Sequence, residues 1–209
     1  MFIQQMQVGH MAVFAYLVGD PVTGDALVID PADNVHEILA TAAKNNLRIN
    51  YIVNTHGHVD HIGGNAQMKK LTDAKIIIHE DDAFMLTSTP AAMLRMFGAT
   101  QSPPADILVS DGQIISAGNV ELKVISTPGH SPGGICLYTP GYVFTGDTLF
   151  VEAVGRTDLP GGSWQTMYDA IKTRLFTLPD ETKVLPGHHY GRTPTSTIGH
   201  EKKYNPSVR

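Results

Sequence analysis

The heptapeptide Thr55-His56-Gly57-His58-Val59-Asp60-His61 carries more chemical information than any other segment of this chain. Two histidines stand two positions apart, and an adjacent aspartate and histidine follow them. An extended strand would distribute these side chains over both faces, whereas a loop containing glycine turns them inward together. Four lone-pair donors at this density fit two neighbouring metal ions better than one, because a single tetrahedral catalytic site takes about three protein ligands. A polar surface loop is the competing interpretation.

Three later positions supply the remaining candidate ligands, each directly after a glycine at the end of a predicted strand. They stand in Thr127-Pro128-Gly129-His130, Thr145-Gly146-Asp147 and Pro186-Gly187-His188. Glycine allows a sharp turn that presents a side chain at the rim of a sheet. A single Pro-Gly-His more often marks a turn, but all three with the heptapeptide predict a metal centre. Its candidate ligands are His56, His58, Asp60, His61, His130, Asp147 and His188.

The composition restricts the site and its partners. Ten histidines stand beside one cysteine, which excludes an intrachain disulfide and a thiolate cluster. A formal net charge of −5 over 209 residues argues against nucleic acid or an anionic membrane as the main partner. The N-terminal residues lack the features of a signal peptide, and no apolar run approaches the roughly 20 residues needed to span a bilayer. We therefore expect a cytoplasmic protein.

Short apolar runs alternate with turn signals and amphipathic stretches, which predicts an α/β fold with two sheets packed face to face and helices outside. No linker-like tract divides the chain, so we expect one domain over 1–209. Strands are predicted at 11–18, 26–29, 51–54, 75–78, 113–115, 122–126, 135–138, 142–145 and 183–185. Helices are predicted at 34–47 with Asn34 as N-cap, at 65–71, in patches over 80–97 interrupted at Pro90, and at 163–178 with Ser163 as N-cap. A loop is predicted at 100–105.

The H-x-H-x-D-H motif at 56–61, followed by a lone histidine, a lone aspartate and a final histidine, resembles the metallo-β-lactamase superfamily. The resemblance covers nearly the whole chain and implies a four-layer αββα sandwich with a dinuclear centre at the sheet rim. It implies one metal on His56, His58 and His130, and a second on Asp60, His61 and His188. Asp147 would bridge the two. Imidazole and carboxylate ligands suit several divalent metals, so we expect zinc first, with iron or manganese as alternatives.

Within the superfamily the sequence resembles the glyoxalase II branch. Asp147 occupies the slot that cysteine fills in β-lactamases with a thiolate ligand, while Cys136 is expected to be a small core residue. The segments 145–150, 155–158 and 196–206 are also similar to that branch. Only 189–209 follow the last ligand, so we expect the compact bacterial type, without the helical C-terminal domain that grips glutathione in larger enzymes.

This resemblance implies a thioesterase similar to hydroxyacylglutathione hydrolase. A metal-bridging hydroxide would attack S-D-lactoylglutathione or a related acyl thiol, with Asp60 as ligand and catalytic orienter of the hydroxide. The partner would be this small thioester or another glutathione-linked compound. The alternative is a persulfide dioxygenase with one ferrous ion on His56, His130 and Asp147. A non-catalytic metal-binding protein is the third possibility.

Two further residues are candidate substrate contacts. Tyr190 stands at the offset from the last ligand where glyoxalase II enzymes contact glutathione, although it could equally pack as an ordinary surface tyrosine. Arg156 suits a glutathione carboxylate, but we favour a structural ion pair with Asp158. Thr55 and Ser131 are expected to orient neighbouring ligands. The apolar side chains Met93, Met96 and Phe97 could line an apolar wall near the site, but we expect them to belong to the core, where methionine and phenylalanine at helical spacing are more often found.

Overall fold

Two six-stranded sheets organise the chain, and the computed structural model describes all residues, 1–209. The first half contains β1 Phe2–Val8, β2 Val13–Gly19, β3 Asp25–Ile29, α1 Val35–Lys44, β4 Arg48–Val53, α2 Val59–Ile62, α3 Asn65–Thr72, β5 Lys75–His79, α4 Met85–Ser88, α5 Ala91–Phe97 and β6 Ile107–Val109. The second half contains β7 Ile114–Ala117, β8 Val120–Ser126, β9 Ile135–Thr139, β10 Tyr142–Gly146, β11 Leu149–Phe150, β12 Ala153–Val154, α6 Trp164–Ala170, β13 Lys183–Pro186, β14 Ser196–Thr197 and α7 Ile198–Tyr204.

The two sheets are built by the two halves of the chain. The first sheet has the order β1-β2-β3-β4-β5-β6, in which β1 to β3 are antiparallel and β3 to β6 are parallel. The second has the order β14-β13-β10-β9-β8-β7, with the β10–β13 pair parallel and the others antiparallel. The carboxyl ends of β4, β8, β10 and β13 all lead into loops that carry candidate ligands.

Three buried clusters give the molecule its layers. Apolar side chains from both sheets, including Phe14, Leu27, Leu122 and Phe144, pack face to face between them. The outer face of the first sheet packs against α1 and α3, and that of the second against α6 and α7. Burial of these apolar surfaces is the main force that holds the layers together. The predicted four-layer αββα sandwich is confirmed.

Several predicted elements have different bounds. The helix predicted at 34–47 ends at Lys44, and Asn34 adopts a left-handed conformation with φ 53° and makes no side-chain cap. The helix predicted at 163–178 consists of α6 and a π-helical turn at Ile171–Leu175, and Ser163 does cap it. Asp60 and His61, expected in a loop, lie on the short helix α2.

Besides α2, six elements were not predicted: β1, β6, β11, β12, β14 and α7. The strand β1 lies at a sheet edge, and its glutamines obscure the alternation of apolar residues. The strands β6, β11, β12 and β14 contain only two or three residues each, too few for a periodic pattern. No helix of the structure is both long enough and apolar enough to cross a membrane.

Candidate metal centre

The structure brings all seven sequence-predicted ligands to one rim of the sandwich. His56 and His58 follow β4, and Asp60 and His61 lie on α2. The other three come from the second sheet, where loops after β8, β10 and β13 carry His130, Asp147 and His188. The ligands thus come from both sheets and meet only because the sheets pack face to face.

His56, His58 and His130 form the first group of donor atoms, which all lie within 4.8 Å of one another. The closest pair is His58 Nδ1 and His130 Nε2, at 2.9 Å. His56 is buried, and its Nε2 has no hydrogen-bond partner. A buried ring nitrogen without a partner is costly in a protein interior unless it binds a ligand. This group therefore fits a cation.

Asp60, His61 and His188 form the second group, also within 4.8 Å. His61 Nε2 lies 3.1 Å from His188 Nε2, which in turn lies 3.5 Å from Asp60 Oδ2. Asp147 stands between the groups: its Oδ2 is 3.5 Å from His130 Nε2 and 3.4 Å from His188 Nε2. Its Oδ1 is buried without a hydrogen-bond partner. This position suits a carboxylate that serves either group, but it does not set how many ions bind.

Main-chain carbonyls orient two of the histidines. The Nδ1 of His130 donates to the carbonyl of Arg156 at 2.7 Å, and the Nδ1 of His188 donates to the carbonyl of Met11 at 2.8 Å. Because a carbonyl only accepts, each ring carries its proton on Nδ1 and directs Nε2 into the centre. Such outer contacts fix the tautomer and the direction of a metal ligand.

Asp30 is a functional residue that the sequence analysis missed. It directly follows β3 and adopts a left-handed conformation with φ 48°. Its Oδ2 accepts from Thr55 Oγ1 at 2.6 Å and lies 3.0 Å from His61 Nδ1, while its Oδ1 accepts from the Thr55 backbone N–H. Thr55 Oγ1 also lies 3.1 Å from His56 Nδ1, the orienting position expected for it. An aspartate at the end of a strand next to the ligand strand was the available signal.

Asp82 is the second missed residue, and it connects two ligand loops. Its fully buried carboxylate accepts from the backbone N–H of Gly57 at 3.0 Å and of Gly133 at 2.6 Å. A Cβ at Gly133 would lie 2.6 Å from the Asp82 backbone nitrogen, so the loop approaches this closely only with glycine. Ser131, by contrast, makes no hydrogen bond to a ligand, and its hydroxyl has no partner.

The pKa values of the two groups of histidines are shifted in opposite directions. Burial lowers the pKa of His56 well below its usual value and the pKa of His58 to about 4. Burial also opposes the charged form of His188, but hydrogen bonds to Asp147 and Asp60 prevail and raise its pKa to about 9. The pKa of His61 is raised by the carboxylates of Asp147 and Asp60 against the same effect of burial. Burial therefore favours the neutral, metal-binding form of His56 and His58, whereas the nearby carboxylates favour the protonated form of His61 and His188, from which a metal would have to displace the proton.

A cleft of about 510 Å³ opens onto the centre. Both sequence-predicted substrate contacts line it. Tyr190 stacks on His188 with ring centroids 4.5 Å apart, and Arg156 forms a two-bond ion pair with Asp158 at 2.7 and 2.8 Å. The favoured pairing of Arg156 is thus present, and a contact of either residue with substrate stays a prediction.

The expected core role of the three apolar side chains on α5 was wrong. None of the residues of α5 is buried, and Met93 and Phe97 line the cleft instead. Met96 is 81% exposed and lies outside the cleft. The spacing of apolar residues along a short helix does not show whether another layer of the fold covers them, and no layer covers α5. Cys136 is fully buried, the core position that the sequence suggested for it.

Comparison with known proteins places this architecture among metalloenzymes. A family model described as the metallo-beta-lactamase superfamily matches residues 8–188. The human mitochondrial persulfide dioxygenase ETHE1 is 32% identical and aligns with 99% of this chain and 75% of its own.

Several solved structures have the same fold as this chain. ETHE1 from Myxococcus xanthus superposes with a TM-score of 0.85 at 32% identity, covering 100% of this chain and 84% of that one. The B3 metallo-beta-lactamase BLEG-1 has a TM-score of 0.89 at 30% identity, covering 99% of each chain. The di-iron-bound form of TTHA1623 has a TM-score of 0.85 at 33% identity, covering 97% of this chain and 98% of that one.

These relatives correct the activity inferred from the sequence. The thioesterase and hydrolase predictions were wrong, because the human, bovine and mouse relatives are named as persulfide dioxygenases. These relatives do not assign the chain to the glyoxalase II branch of the superfamily. All these activities use overlapping sets of the same ligands, so the motif could not separate them. The fold, the clustered ligands and the family match agree on the broader assignment: the chain belongs to the metallo-beta-lactamase superfamily, a family of metal-dependent enzymes.

Proposed function

We propose that this protein is a persulfide dioxygenase that uses one iron(II) ion held by His56, His130 and Asp147. The observation that carries the proposal is this set of two imidazoles and one carboxylate in a chain similar to persulfide dioxygenases along 99% of its length. Two histidines and one carboxylate on one face of a metal, with the other positions open, are typical of non-haem iron(II) oxygenases.

The geometry supports each of the three proposed ligands. His130 Nε2 lies 3.5 Å from Asp147 Oδ2, and His56 Nε2 is the buried nitrogen without a partner. The opposite nitrogens of both rings are already engaged, His56 Nδ1 with Thr55 and His130 Nδ1 with a carbonyl. The ligand atoms are therefore oriented before the metal arrives, which reduces the free-energy cost of binding it.

Asp60 receives a new role in this proposal. It was expected to orient a hydroxide, a role that no longer applies without the hydrolase. Its Oδ2 lies 3.5 Å from His188 Nε2, and both residues line the cleft. We assign Asp60 to hold His188 in place beside the substrate, with Tyr190 stacked on the outer face of the same ring. A second metal on Asp60, His61 and His188 would be an additional ion, not part of the proposed reaction.

The proposed reaction adds both atoms of O₂ to the terminal sulfur of a persulfide. R–S–SH and O₂ give R–S–SO₂H, and water then gives R–SH and sulfite, so the terminal sulfur is oxidised and oxygen is reduced. Bound iron(II) would supply the redox chemistry that makes O₂ reactive toward sulfur. The protein supplies the positions: the ligands hold the metal, and the cleft admits the persulfide next to it.

Oxygen consumption by iron-loaded protein tests the proposal. Protein loaded anaerobically with Fe(II) is mixed with a persulfide in an oxygen electrode, and sulfite and iron content are measured on the same sample. We expect oxygen uptake that requires persulfide, one sulfite per O₂, and about one iron per chain. With ¹⁸O₂, the sulfite should carry label.

Two variants and one control sharpen this test. Asp147→Ala and His130→Ala should each lose bound iron and oxygen uptake together. His36→Ala, a surface histidine bonded only to Gln67, should retain both. Iron-loaded wild-type protein without persulfide-dependent uptake would overturn the proposal, and so would β-lactam hydrolysis as the only activity.

A further inference from the structure

The C-terminal helix α7 has a fixed position on the second sheet. It follows β14, which pairs with β13, the strand that leads to His188. Thr197 caps the first turn by accepting from the backbone N–H of His200 at 3.2 Å. The side chain of Ile198 is fully buried, and its backbone N–H donates to the carbonyl of Thr182 at 3.0 Å. The helix is therefore held to the sheet that carries one of the candidate ligands.

Two fully buried polar side chains, Glu201 on α7 and its C-cap residue Asn205, reach the hairpin formed by β11 and β12. Glu201 Oε2 accepts from the backbone N–H of Glu152 at 2.9 Å, and Asn205 Nδ2 donates to the carbonyl of Ala153 at 2.9 Å. The same Asn205 nitrogen donates to Glu201 Oε2, and the Ser196 hydroxyl donates to Glu201 Oε1. Burial of a carboxylate disfavours folding unless hydrogen bonds compensate it, and here these bonds join the C-terminal segment to itself and to the hairpin.

Glu152 is the residue of the hairpin that most needs this support. Its φ is 57°, in the left-handed region where the Cβ of an ordinary residue crowds the backbone. The strands on either side contain two residues each, and a hairpin of this length is not stable alone. The bonds from Glu201 and Asn205 meet the hairpin at this residue and at the next one. The C-terminal helix thus stabilises a turn that the hairpin alone would not keep.

The hairpin forms one wall of the cleft beside the metal centre. Phe150, Ala153 and Val154 all line the cleft. The ring of Phe150 meets the rings of His188 and Tyr190 edge-on, with centroid distances of 5.9 and 5.4 Å. Edge-on contacts between rings depend on the relative position of the rings. The position of the hairpin therefore helps to decide where the stacked rings of His188 and Tyr190 stand in the cleft.

The loop after the last ligand also rests on the hairpin. Val151, at the tip of the hairpin, is buried, and a Cβ at Gly191 would lie 2.4 Å from the Val151 Cβ. Packing this close leaves no room for the hairpin to shift unless the loop shifts with it. The loop carries Tyr190, so the same displacement would move a side chain that lines the cleft.

We propose that Glu201 and Asn205 are positioning residues for the substrate: they hold the β11–β12 hairpin, and the hairpin fixes the wall of the cleft around Phe150. This inference rests on the proposed dioxygenase function, because a persulfide is the substrate whose binding it concerns. Neither side chain lines the cleft, so each acts through the hairpin and not by contact. Their loss should weaken substrate binding more than catalysis, because the outer nitrogens of the proposed iron ligands His56 and His130 are bound by other residues.

A graded pair of substitutions tests the inference by oxygen uptake with glutathione persulfide. Glu201→Ala removes the acceptor for the Glu152 N–H and should raise KM at least about 5-fold, with kcat per bound iron within about twofold of wild type. Glu201→Gln keeps an acceptor oxygen for this N–H, and its NH₂ can donate to the Ser196 hydroxyl, which both donates and accepts. It should therefore have a KM close to that of wild type.

A control on the same helix separates positioning from stability. Lys203 is exposed on α7, and Lys203→Ala should leave both KM and kcat unchanged. Loss of bound iron or of kcat in Glu201→Ala, with KM unchanged, would show a merely structural role and overturn the inference. A KM of Glu201→Gln as high as that of Glu201→Ala would overturn the assigned hydrogen bond to the hairpin.

Hydrogen exchange measures the hairpin without turnover. Exchange of the backbone amides in 149–154 is followed by mass spectrometry in anaerobic iron-loaded protein, with β3 of the first sheet as the reference segment. We expect exchange of the hairpin to be at least about 10-fold faster in Glu201→Ala than in wild type, with exchange of β3 unchanged. Unchanged exchange of the hairpin would overturn the inference even if the protein consumes oxygen. Faster exchange in a protein that consumes no oxygen would refute the dioxygenase and leave the support of the hairpin by α7 intact.

Discussion

Replacing Asp82 by asparagine should weaken metal binding although Asp82 is not itself a metal ligand. Its carboxylate is fully buried and accepts one backbone N–H from each of two ligand loops, at Gly57 and at Gly133. Gly57 lies between two candidate ligands, and Gly133 lies three positions after a third. One side chain thus sets the distance between the loops that hold His56, His58 and His130.

The size of the effect follows from the two hydrogen bonds. Asparagine keeps one acceptor oxygen, so one loop retains its bond while the other N–H faces an amide NH₂. Loss of a hydrogen bond to a charged group costs about 1.5–3 kcal/mol. Part of this loss should appear as lower stability and part as misplaced ligands. Changes in such outer contacts typically reduce metal affinity about 10- to 100-fold.

Chelator competition and urea unfolding measure the two parts separately. The Zn(II) affinity of the variant is measured against a chromophoric chelator, and the metal-free protein is unfolded in urea. Asp81→Asn is the matched control, because this neighbouring carboxylate is 63% exposed and lies 3.7 Å from the His79 ring nitrogen Nδ1. An Asp82→Asn protein with Zn(II) affinity within about twofold of wild type would refute the positioning role.

Three further predictions concern protonation, the second group of ligands and the cysteine. Zn(II) binding at pH 7 should release protons mainly as Asp60, His61 and His188 bind their ion, since burial lowers the pKa of His58 to about 4 whereas hydrogen bonds to Asp147 and Asp60 raise the pKa of His188 to about 9. The Zn(II) affinity of this second group should therefore rise with pH up to about 9. Calorimetry in buffers of different ionisation enthalpy counts the released protons. Asp30→Asn should reduce affinity for the second ion about 10-fold by removing the carboxylate that faces His61 Nδ1, as Zn(II) titration would show. Cys136, whose pKa burial raises to about 11, should react with a thiol reagent at pH 8 about 100-fold more slowly in native than in unfolded protein.

Each of these has a clear contrary result. Proton release that is equal for both ions would contradict the assigned difference between the histidines. Unchanged affinity for the second ion in Asp30→Asn would remove the orienting role of that carboxylate. Rapid labelling of Cys136 in native protein would show that the strand carrying it opens readily, contrary to its complete burial in β9.

Much of the fold could be predicted because most strands are apolar runs long enough to recognise. All seven residues of β2 are buried, and its run of apolar side chains is visible in the sequence. The edge strand β1 has glutamines at three of its seven positions, so the same reasoning missed it. Edge position is a tertiary property, and a strand that packs on one side only shows a weaker pattern.

The branch of the family could not be predicted from the ligands. His56, His130 and Asp147 belong both to a dinuclear hydrolase set and to a mononuclear dioxygenase set, so the motif supports either activity. The apolar wall of the cleft was considered for Met93 and Phe97 but the core was preferred, because helical spacing is compatible with either position. Only the position of α5 above the centre distinguishes the two.

The sequence by itself determined the donor atoms, because metal binding requires particular side chains and the spacing of five histidines and two aspartates is visible along the chain. The tertiary structure alone decided what orients them. Asp30 and Asp82 each lie 25 residues along the chain from their partners Thr55 and Gly57. The carbonyls of Met11 and Arg156, which accept from His188 and His130, cannot be recognised from residue type. Every residue has a carbonyl, and only packing of the two sheets determines which one meets a histidine.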